Sequence, residues 1–259
     1  MKVIIIAAGF SSRLRPLTED RPKCLVNVGG KSILEYQLDA FHSQGMRDIA
    51  LIKGYRGEKI NTPTLKYYFN NDYKNNNILC SLMCAEEAMT SEFIATYSDI
   101  IFSGDIIKKL MDDKNPITIV VDTDWKEYYI GRTSHSPEEA ENVVFDQDRS
   151  IVQIGKYVSE KDIIAGYGFG EFIGMMKCSD DGARIFREYF HKAKNEFSGK
   201  PFVQAALFEK AYLTDFLQYL CMHGVPINCV LIKKGWYEID TVQDLEKVTG
   251  LLQKSKINV

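Results

Sequence analysis

Residues 2–18 read KVIIIAAGFSSRLRPLT, and this stretch decides the fold. The uninterrupted apolar run over residues 2–8 is typical of a strand that is covered on both faces, as in a parallel sheet. Gly9 ends the run, and small and basic residues follow it up to Thr18. A small-residue loop directly after a buried strand lets backbone N–H groups approach the oxygens of a phosphate closely. The stretch therefore predicts an α/β fold with an anion site at its first loop.

Strands and helices alternate along the rest of the chain. Ser32 and Glu35 form the pattern of a capping box, so a helix is expected to begin there and to end near Gly45. Thr241, with Asp244 three residues later, is expected to cap the last helix. The other helices are predicted at residues 77–88, 106–111, 180–194, 201–210 and 213–223, and the other strands at residues 26–28, 48–53, 65–69, 93–97, 117–121, 142–145, 151–154, 167–173 and 227–232.

This succession predicts a Rossmann-like, mostly parallel sheet with helices on both faces. Ligands of such sheets bind at the carboxyl ends of the strands. The first loop and Asp99, which follows the strand predicted at residues 93–97, are therefore expected to share one site. Residues 122–175 are polar with short alternating stretches, which predicts a small β-rich lobe over the active site. Without a linker or a repeat, residues 1–259 are expected to form a single domain.

Composition excludes several classes of protein. Lys and Arg total 32 and Asp and Glu total 35, for a net charge of −3. A general nucleic-acid binder needs a basic surplus, so no nucleic-acid partner is expected. No apolar run approaches the roughly 20 residues that span a bilayer, and the run at residues 3–8 lacks a cleavage site, so neither a membrane partner nor a leader is expected. Together with six scattered cysteines, this predicts a cytoplasmic protein.

The first loop also carries basic side chains. It matches neither the dinucleotide fingerprint G-x-G-x-x-G nor the Walker pattern G-x-x-x-x-G-K-[ST], which argues against a Rossmann dehydrogenase. Arg13 and Arg15 offer charge-assisted donors to phosphate oxygens. Lys23 follows Pro22, so its ammonium group is held on a stiff turn near the same loop. The residues alone therefore indicate a site for a phosphorylated ligand.

Residues 7–17 followed by residues 21–25 resemble the nucleotidyltransferases that make NDP-sugars and CDP-linked small molecules. Their pattern is A-A-G-x-G-[ST]-R-L-x-P-L-T followed by P-K, and Ser11 replaces its second glycine. Residues 97–100 resemble the strand end of that family that carries a metal-binding acid, and residues 236–241 resemble the segment with the second acid. The resemblance touches both ends and the middle of the chain, and it implies the nucleotide-diphospho-sugar transferase type of fold.

Other segments indicate one branch of this family. Residues 75–82, NNNILCSL, resemble the bacterial choline-phosphate cytidylyltransferases. Residues 120–125, 170–174 and 212–215 resemble the cytidylyltransferases of phosphonate pathways, whose acceptors include 2-aminoethylphosphonate. The resemblance implies an enzyme that joins CTP to a small phosphonate or phosphate monoester and releases pyrophosphate.

The resemblance also implies roles for single residues. Asp99 and Asp240 are expected to hold Mg²⁺, Arg13 to steady the departing pyrophosphate, and Lys23 to neutralise charge between the α-phosphate and the acceptor. No general base is needed, because the acceptor oxygen is already anionic. The expected nucleotide contacts are Ala7, Ala8, Gly9, Ser11 and Ser12, with Asn77 and Ser81 at the cytosine edge. The expected acceptor contacts are Asp122, Asp124, Trp125, Lys156, Glu171 and Asp215, since carboxylates and aromatic faces suit a cationic group and Lys156 suits an anionic one.

Two alternative functions and the oligomeric state stay open at this point. A hexose-1-phosphate nucleotidyltransferase keeps the same reaction with a sugar acceptor. A nucleotide-binding regulatory module keeps the fold without the chemistry. The oligomeric state is not determined, a homodimer being one option. The four histidines, at positions 42, 135, 191 and 223, lie outside the motifs and are expected on the surface or at helix ends.

Overall fold

The computed structural model describes residues 1–163 and 165–254. Its strands are β1 (Lys2–Ala7), β2 (Asn27–Val28), β3 (Lys31–Ser32), β4 (Ile49–Lys53), β5 (Lys66–Phe69), β6 (Phe93–Tyr97), β7 (Ile100–Phe102), β8 (Ile117–Asp122), β9 (Asn142–Phe145), β10 (Ile151–Gly155), β11 (Gly168–Cys178), β12 (Asn228–Ile232) and β13 (Trp236–Glu238). Its α-helices are α1 (Ile33–Ser43), α2 (Ile78–Met83), α3 (Gly104–Asp112), α4 (Lys126–Tyr129), α5 (Asp180–Phe197), α6 (Leu213–Met222) and α7 (Val242–Gln253).

One large mixed sheet organises these elements. Strand β1 pairs in parallel with β4 on one side and with β6 on the other, and β5 extends the parallel part beyond β4. Strand β11 is antiparallel to β6, β8 and β9, while β12 pairs in parallel with β8. The predicted Rossmann-like sheet with helices on both faces is therefore confirmed, with β11 as an antiparallel strand inside it.

The core lies on both faces of this sheet. In β1, Ile4 and Ile6 pack into one cluster of buried side chains, and Val3 and Ile5 pack into the other. The first cluster joins the sheet to α2, α5 and α6, and the second joins it to α1 and α3. The uninterrupted apolar run of β1 follows from this position, because every second side chain faces a different helical layer.

Strand β11 is long because it bends in the middle. Its register with β8 shifts between Phe172 and Met176, and Gly174 has a φ of +80° at the bend. A Cβ atom on Gly174 would lie 2.4 Å from the ring of Tyr97. The glycine thus permits both the left-handed backbone and the close packing of Tyr97 beneath the strand.

The predicted capping box at Ser32 is present, and the predicted N-cap at Thr241 is also part of a capping box. Ser32 Oγ accepts the N–H of Glu35, whose carboxylate accepts the N–H of Ser32, at the start of α1. Thr241 and Asp244 make the same reciprocal pair at the start of α7. These two helix starts follow from local sequence, because each pair satisfies backbone N–H groups that the first helical turn leaves free.

Two predicted helices differ from the structure. The helix predicted at residues 77–88 is α2 followed by a 3-10 turn at Glu86–Ala88. The helix predicted at residues 201–210 is wrong, since only Phe208–Lys210 is helical, as a 3-10 turn. Phe202 instead forms an antiparallel bridge with Ala205, and the rings of Phe202 and Phe208 pack 5.1 Å apart. Burial of both rings in the core overrides the local helical pattern.

The segment predicted as a β-rich lobe has two different halves. Its first half contains α4 and a 3-10 turn at Pro137–Glu139. Its second half contains β9, β10 and the start of β11, which extend the large sheet. Among the residues that the structure describes, no helix is long and apolar enough to cross a bilayer.

Candidate active site

Two adjoining pockets open at the carboxyl ends of β1 and β6. The loop pocket, about 290 Å³, is bounded by residues 6–11 and by side chains of α2. The acidic pocket, about 190 Å³, lies between β11, β13 and residues 129–141. Asn77, Ile78, Tyr97 and Asp99 line both pockets. A ligand in the larger loop pocket would therefore meet a ligand in the smaller acidic pocket beside Asp99.

The backbone of the first loop is shaped by Ser11. This residue has φ 50° and ψ 48°, in the left-handed region that favours glycine. The hydroxyl of Thr18 donates to the carbonyl of Ser11 at 2.7 Å, which holds the loop closed. The conformation explains why the family pattern has glycine at this position and shows that serine can adopt it here.

Lys23 joins the two predicted metal-binding acids. It is buried, and its Nζ donates to Asp240 Oδ1 at 2.6 Å and to Asp99 Oδ2 at 3.0 Å. Burial alone lowers the pKa of Lys23, but the two carboxylates outweigh burial and raise it above its usual value. Lys23 is therefore a permanent positive charge at the junction of the two pockets.

Neighbouring elements fix the positions of both acids. Asp99 lies between β6 and β7, and the buried amide of Gln37 donates to the carbonyls of Tyr97 and Ile100 on either side of it, at 2.8 and 2.7 Å. Asp240 follows β13, which pairs antiparallel with β7. The ladder between β7 and β13 thus brings together two acids that are far apart in sequence.

Arg13 completes the charged centre. Its guanidinium contacts Glu139 Oε2 at 2.6 Å and also Asp240, while nearly half of its side chain is exposed. Burial opposes the ionisation of Asp240, but Lys23 and Arg13 hold the pKa of that carboxyl below its usual value. Arg13 and Lys23 therefore keep Asp240 charged, and Arg13 lines the acidic pocket while Lys23 lines the loop pocket.

The expectation for His135 is wrong. The ring is only 5% exposed, and its Nδ1 lies 2.9 Å from Arg132 Nη2, 3.3 Å from Asp240 and 3.4 Å from Glu238. Burial, followed by the charge of Arg132, lowers the pKa of this imidazole. No local sequence pattern predicts that His135 lies in the site. Arg132 holds this segment there through ion pairs with Asp244 and Glu238, at 2.7 and 3.0 Å.

The acids of this centre fit a divalent cation. Asp99 Oδ1 is buried and has no hydrogen-bond partner among the described residues, although Oδ2 is bound to Lys23. Carboxylate oxygens are the ligands that Mg²⁺ prefers. His135, Glu238 and Asp240 form a second set, with ligand atoms within 4.8 Å of one another. Asp240 belongs to both sets, and the unpartnered Oδ1 of Asp99 makes Asp99 with Asp240 the better candidate.

Carboxylates dominate the acidic pocket. Glu171 is 5% exposed, its Oε1 accepts the hydroxyl of Tyr129 at 2.6 Å, and its Oε2 has no partner among the described residues. Glu141 accepts the hydroxyls of Thr214 and Tyr97 at 2.8 and 3.1 Å. Burial raises the pKa of both carboxyls, and that of Glu171 lies well above its usual value. A cation in this pocket would therefore favour the ionised form of these carboxyls.

Two of the residues predicted to contact the acceptor, Glu171 and Lys156, line this pocket, where the Lys156 ammonium lies 4.1 Å from the ring centroid of Tyr212. The structure does not bring Asp122, Asp124, Trp125 or Asp215 to it. The fully buried Asp122 accepts the indole N–H of Trp236 at 2.7 Å and the N–H of Asp124 at 2.8 Å.

Asp215 and Trp125, which were also predicted to contact the acceptor, make contacts within the protein instead. Asp215 caps α6 by accepting the N–H groups of Tyr212 and Gln204 at 2.8 and 3.1 Å. Trp125 packs on Tyr129, with ring centroids 5.4 Å apart. These side chains are already committed to hydrogen bonds and packing, which corrects their assignment as acceptor contacts.

The nucleotide predictions divide in the same way. Ala7, Ala8, Gly9, Ser11 and Ser81 line the loop pocket, whereas Ser12 is exposed outside it at the start of a 3-10 turn. The side chain of Asn77 is turned to the backbone, since its Oδ1 accepts the N–H of Ile78 and its Nδ2 donates to the carbonyl of Lys210. This contact corrects the expectation that the Asn77 side chain reads a base.

Sequence reasoning missed several residues at the two pockets. Phe10 stacks on Tyr55 at 4.5 Å and forms an aromatic wall of the loop pocket with Tyr73. Glu139, Glu141 and Glu238 supply most of the acidic pocket with Glu171. Phe10 occupies the variable position of the loop pattern, and Glu139 and Glu141 lie in segments without a motif, so no sequence signal marked them. Glu238 lies in the segment of residues 236–241, in which the sequence prediction selected Asp240 alone.

Comparisons with known proteins agree with this arrangement. A family model described as a MobA-like NTP transferase domain matches residues 3–160. A CTP:phosphoglutamine cytidylyltransferase of Campylobacter jejuni is 31% identical over 95% of this chain and 98% of its own length. A choline-phosphate cytidylyltransferase of Streptococcus pneumoniae is 37% identical over 40% of this chain and 47% of its own.

A solved structure of a CTP:phosphocholine cytidylyltransferase from Streptococcus pneumoniae has the same fold. Its TM-score is 0.70 at 23% identity, and the match covers 97% of this chain and 98% of the other. At this identity the likeness concerns the fold alone.

Proposed function

Because the chain belongs to the MobA-like NTP transferase family and is a nucleotidyltransferase, we propose that it transfers CMP from CTP to a small acceptor that carries a phosphate or phosphonate and an ammonium group. Phosphocholine and 2-aminoethylphosphonate represent this class of acceptor. Pyrophosphate is the second product. The similar cytidylyltransferases support the choice of CTP, and the acidic pocket supports the choice of acceptor.

The observation that carries this proposal is the position of Glu171. A buried carboxylate with one unpartnered oxygen lines a pocket that meets the loop pocket at Asp99. An ammonium group there gains an ion pair in a site of low dielectric, next to the aromatic rings of Tyr129 and Tyr212. Lys156 lines the same pocket and suits an anionic group of the acceptor. A sugar phosphate offers an anionic group to Lys156 but no cationic group to Glu171.

The reaction needs positioning and charge neutralisation. An oxygen of the acceptor phosphate or phosphonate attacks the α-phosphorus of CTP, a new P–O bond forms, and the bond to the β-phosphate oxygen breaks. The attacking oxygen is already anionic, so no proton has to be removed. Lys23, fixed beside Asp99 and Asp240, reduces repulsion between the two anions, and the exposed part of Arg13 stabilises the leaving pyrophosphate.

We also propose a requirement for Mg²⁺. Asp99 and Asp240 would hold the ion, and the unpartnered Oδ1 of Asp99 is the oxygen free to bind it. When bound, Mg²⁺ supplies positive charge to phosphoryl oxygens. The expected result is that Asp99→Asn loses dependence on Mg²⁺ together with most of its turnover.

Pyrophosphate release tests the proposal directly. CTP, UTP, dTTP, ATP and GTP are each combined with phosphocholine, 2-aminoethylphosphonate and glucose-1-phosphate in the presence of Mg²⁺. Propylphosphonate, which has a methyl group in place of the ammonium group of 2-aminoethylphosphonate, serves as the control acceptor. We expect release with CTP and an ammonium-bearing acceptor. Release only with glucose-1-phosphate would overturn the acceptor class, and release with no CTP pair would overturn the proposal.

Paired variants locate the ammonium site. Glu171→Gln is expected to raise KM for the ammonium-bearing acceptor at least tenfold, because it removes the buried charge. Asp124→Asn is the matched control, since Asp124 is an acid of the same segment that lines neither pocket. Equal effects of the two substitutions would contradict the assignment of Glu171.

A further inference from the structure

A buried amide beside the loop pocket has a fixed orientation. Asn70 follows β5 and is 2% exposed. Its Oδ1 accepts the backbone N–H of Asp72 at 3.0 Å and the amide of Asn76 at 3.1 Å. A backbone N–H can only donate, so the side-chain atom that faces it must be the oxygen. The opposite atom, Nδ2, can then only donate.

That orientation determines the role of the neighbouring hydroxyl. Asn70 Nδ2 donates to Ser81 Oγ at 2.8 Å and to Asn76 Oδ1 at 2.7 Å. Ser81 lies on α2, is 6% exposed and lines the loop pocket. Its hydroxyl makes no other hydrogen bond with the described residues. Because its oxygen accepts from Asn70, its hydrogen remains for a ligand in the loop pocket.

The other amides near Ser81 are engaged. Both ends of the Asn76 side chain bind Asn70, and both ends of the Asn77 side chain bind backbone groups. Ser81 is thus the side chain of this group whose hydrogen-bonding role toward a ligand is set by a fixed neighbour. A hydroxyl that is already fixed as a hydrogen-bond donor can distinguish two bases when one ring atom accepts a hydrogen bond in one base and donates in the other.

We propose that Asn70 is a positioning residue that makes Ser81 a donor to N3 of the pyrimidine and thereby selects CTP over UTP. This inference rests on the proposed cytidylyltransferase function. Cytosine N3 is an acceptor and can take the hydrogen of the Ser81 hydroxyl, whereas uracil carries a hydrogen at N3 and would leave that buried hydroxyl hydrogen without an acceptor. An unmatched polar contact of this kind in a buried site discriminates strongly between ligands.

Asn70→Asp tests the inference by reversing the polarity. The carboxylate keeps the shape of the amide and still accepts from Asp72, but its second oxygen can only accept. Ser81 must then donate to residue 70 and presents lone pairs to the base. We expect the ratio of kcat/KM for CTP to that for UTP to fall at least tenfold, with UTP turnover rising. The ratio of the two Kd values is expected to move in parallel.

Asn71→Asp is the matched control. Asn71 is the adjacent residue, is exposed, and receives the same added charge without contact to Ser81. Its CTP-to-UTP ratio is expected to equal that of the unmodified protein. A merely structural role of Asn70 would lower the values for both nucleotides equally and leave the ratio unchanged, which would overturn the inference.

Ser81→Ala keeps the test decisive if Asn70→Asp does not fold. Removing the hydroxyl is expected to lower kcat/KM for CTP and to leave kcat/KM for UTP unchanged or higher. The ratio of the CTP value to the UTP value therefore falls. Full retention of CTP selectivity in Ser81→Ala would overturn the inference. If the unmodified protein does not release pyrophosphate with any of the acceptors tested, the proposed function fails. The Kd values for CTP and UTP still decide the role of Asn70 in that case.

Discussion

Lys23 is the residue on which we expect both the proposed catalysis and local stability to depend. Its ammonium group is the shared partner of Asp99 and Asp240. The two carboxylates would repel each other without it, and Asp240 would remain buried with Arg13 and His135 as neighbours. A residue that looks purely catalytic in the sequence motif is therefore also part of the framework.

We expect Lys23→Met to lower kcat at least about 100-fold and to destabilise the fold by about 3 kcal/mol. The loss of stability follows because a buried charge partner is removed while the acids stay. Turnover and urea unfolding measure the two effects separately.

The double variant Lys23→Met/Asp240→Asn provides the control. It removes one of the unbalanced acids and is expected to regain part of the stability without regaining activity. A Lys23→Met variant as stable as the unmodified protein would show that the ion pairs do not hold the site together.

Glu171 makes acceptor binding dependent on pH. Burial raises the pKa of this carboxyl well above its usual value, so the group is neutral at low pH and becomes charged as pH rises through that raised pKa. KM for 2-aminoethylphosphonate is therefore expected to fall as pH rises, while KM for propylphosphonate lacks this component. In Glu171→Gln the difference in KM between the two acceptors should no longer depend on pH. If it still depends on pH in this variant, the titrating group is not Glu171.

At the scale of elements, the N-terminus of α7 fastens the segment around Arg132 to the site. Asp244 closes the capping box with Thr241, accepts the N–H of Asp240 at 3.2 Å and pairs with Arg132 at 2.7 Å. One carboxylate therefore positions a catalytic acid, a helix start and a pocket wall.

Two substitutions separate these roles. Thr241→Ala removes the cap and is expected to cost about 1 kcal/mol of unfolding free energy. Asp244→Ala also leaves Arg132 buried with one acid fewer, so a loss of about 3 kcal/mol is expected. Urea denaturation measures both, and equal losses would mean that the ion pair with Arg132 contributes nothing.

The bend of β11 allows a similar comparison. Gly174 and Gly199 have φ values of +80° and +71°, but a Cβ meets the Tyr97 ring at Gly174 and open space at Gly199. Gly199→Ala is expected to cost about 1 kcal/mol from backbone strain, and Gly174→Ala an additional ~1–3 kcal/mol from overpacking. Similar melting temperatures for the two variants would show that Tyr97 moves away without cost.

At the scale of the whole molecule, sequence patterns predicted what is local. The buried strand β1, the two capping boxes and the strand ends that carry Asp99 and Asp240 follow from runs of a few residues. The walls of the acidic pocket do not follow from local sequence, because ion pairs with residues more than a hundred positions away hold Glu139 and His135 there. The helix expected at residues 201–210 failed for the same reason, since the packing of Phe202 and Phe208 is a tertiary contact.

The pairing of β7 with β13 also determines when the site is completed during synthesis of the chain. Lys23 and Asp99 leave the ribosome long before Asp240, which lies 217 positions after Lys23. At about 5–20 residues per second, the interval between Asp99 and Asp240 is roughly seven to thirty seconds. During that time the nascent chain holds the nucleotide loop without its last acid and without β13. The ability to carry out the reaction therefore arises abruptly, when the final strand docks, rather than growing with chain length.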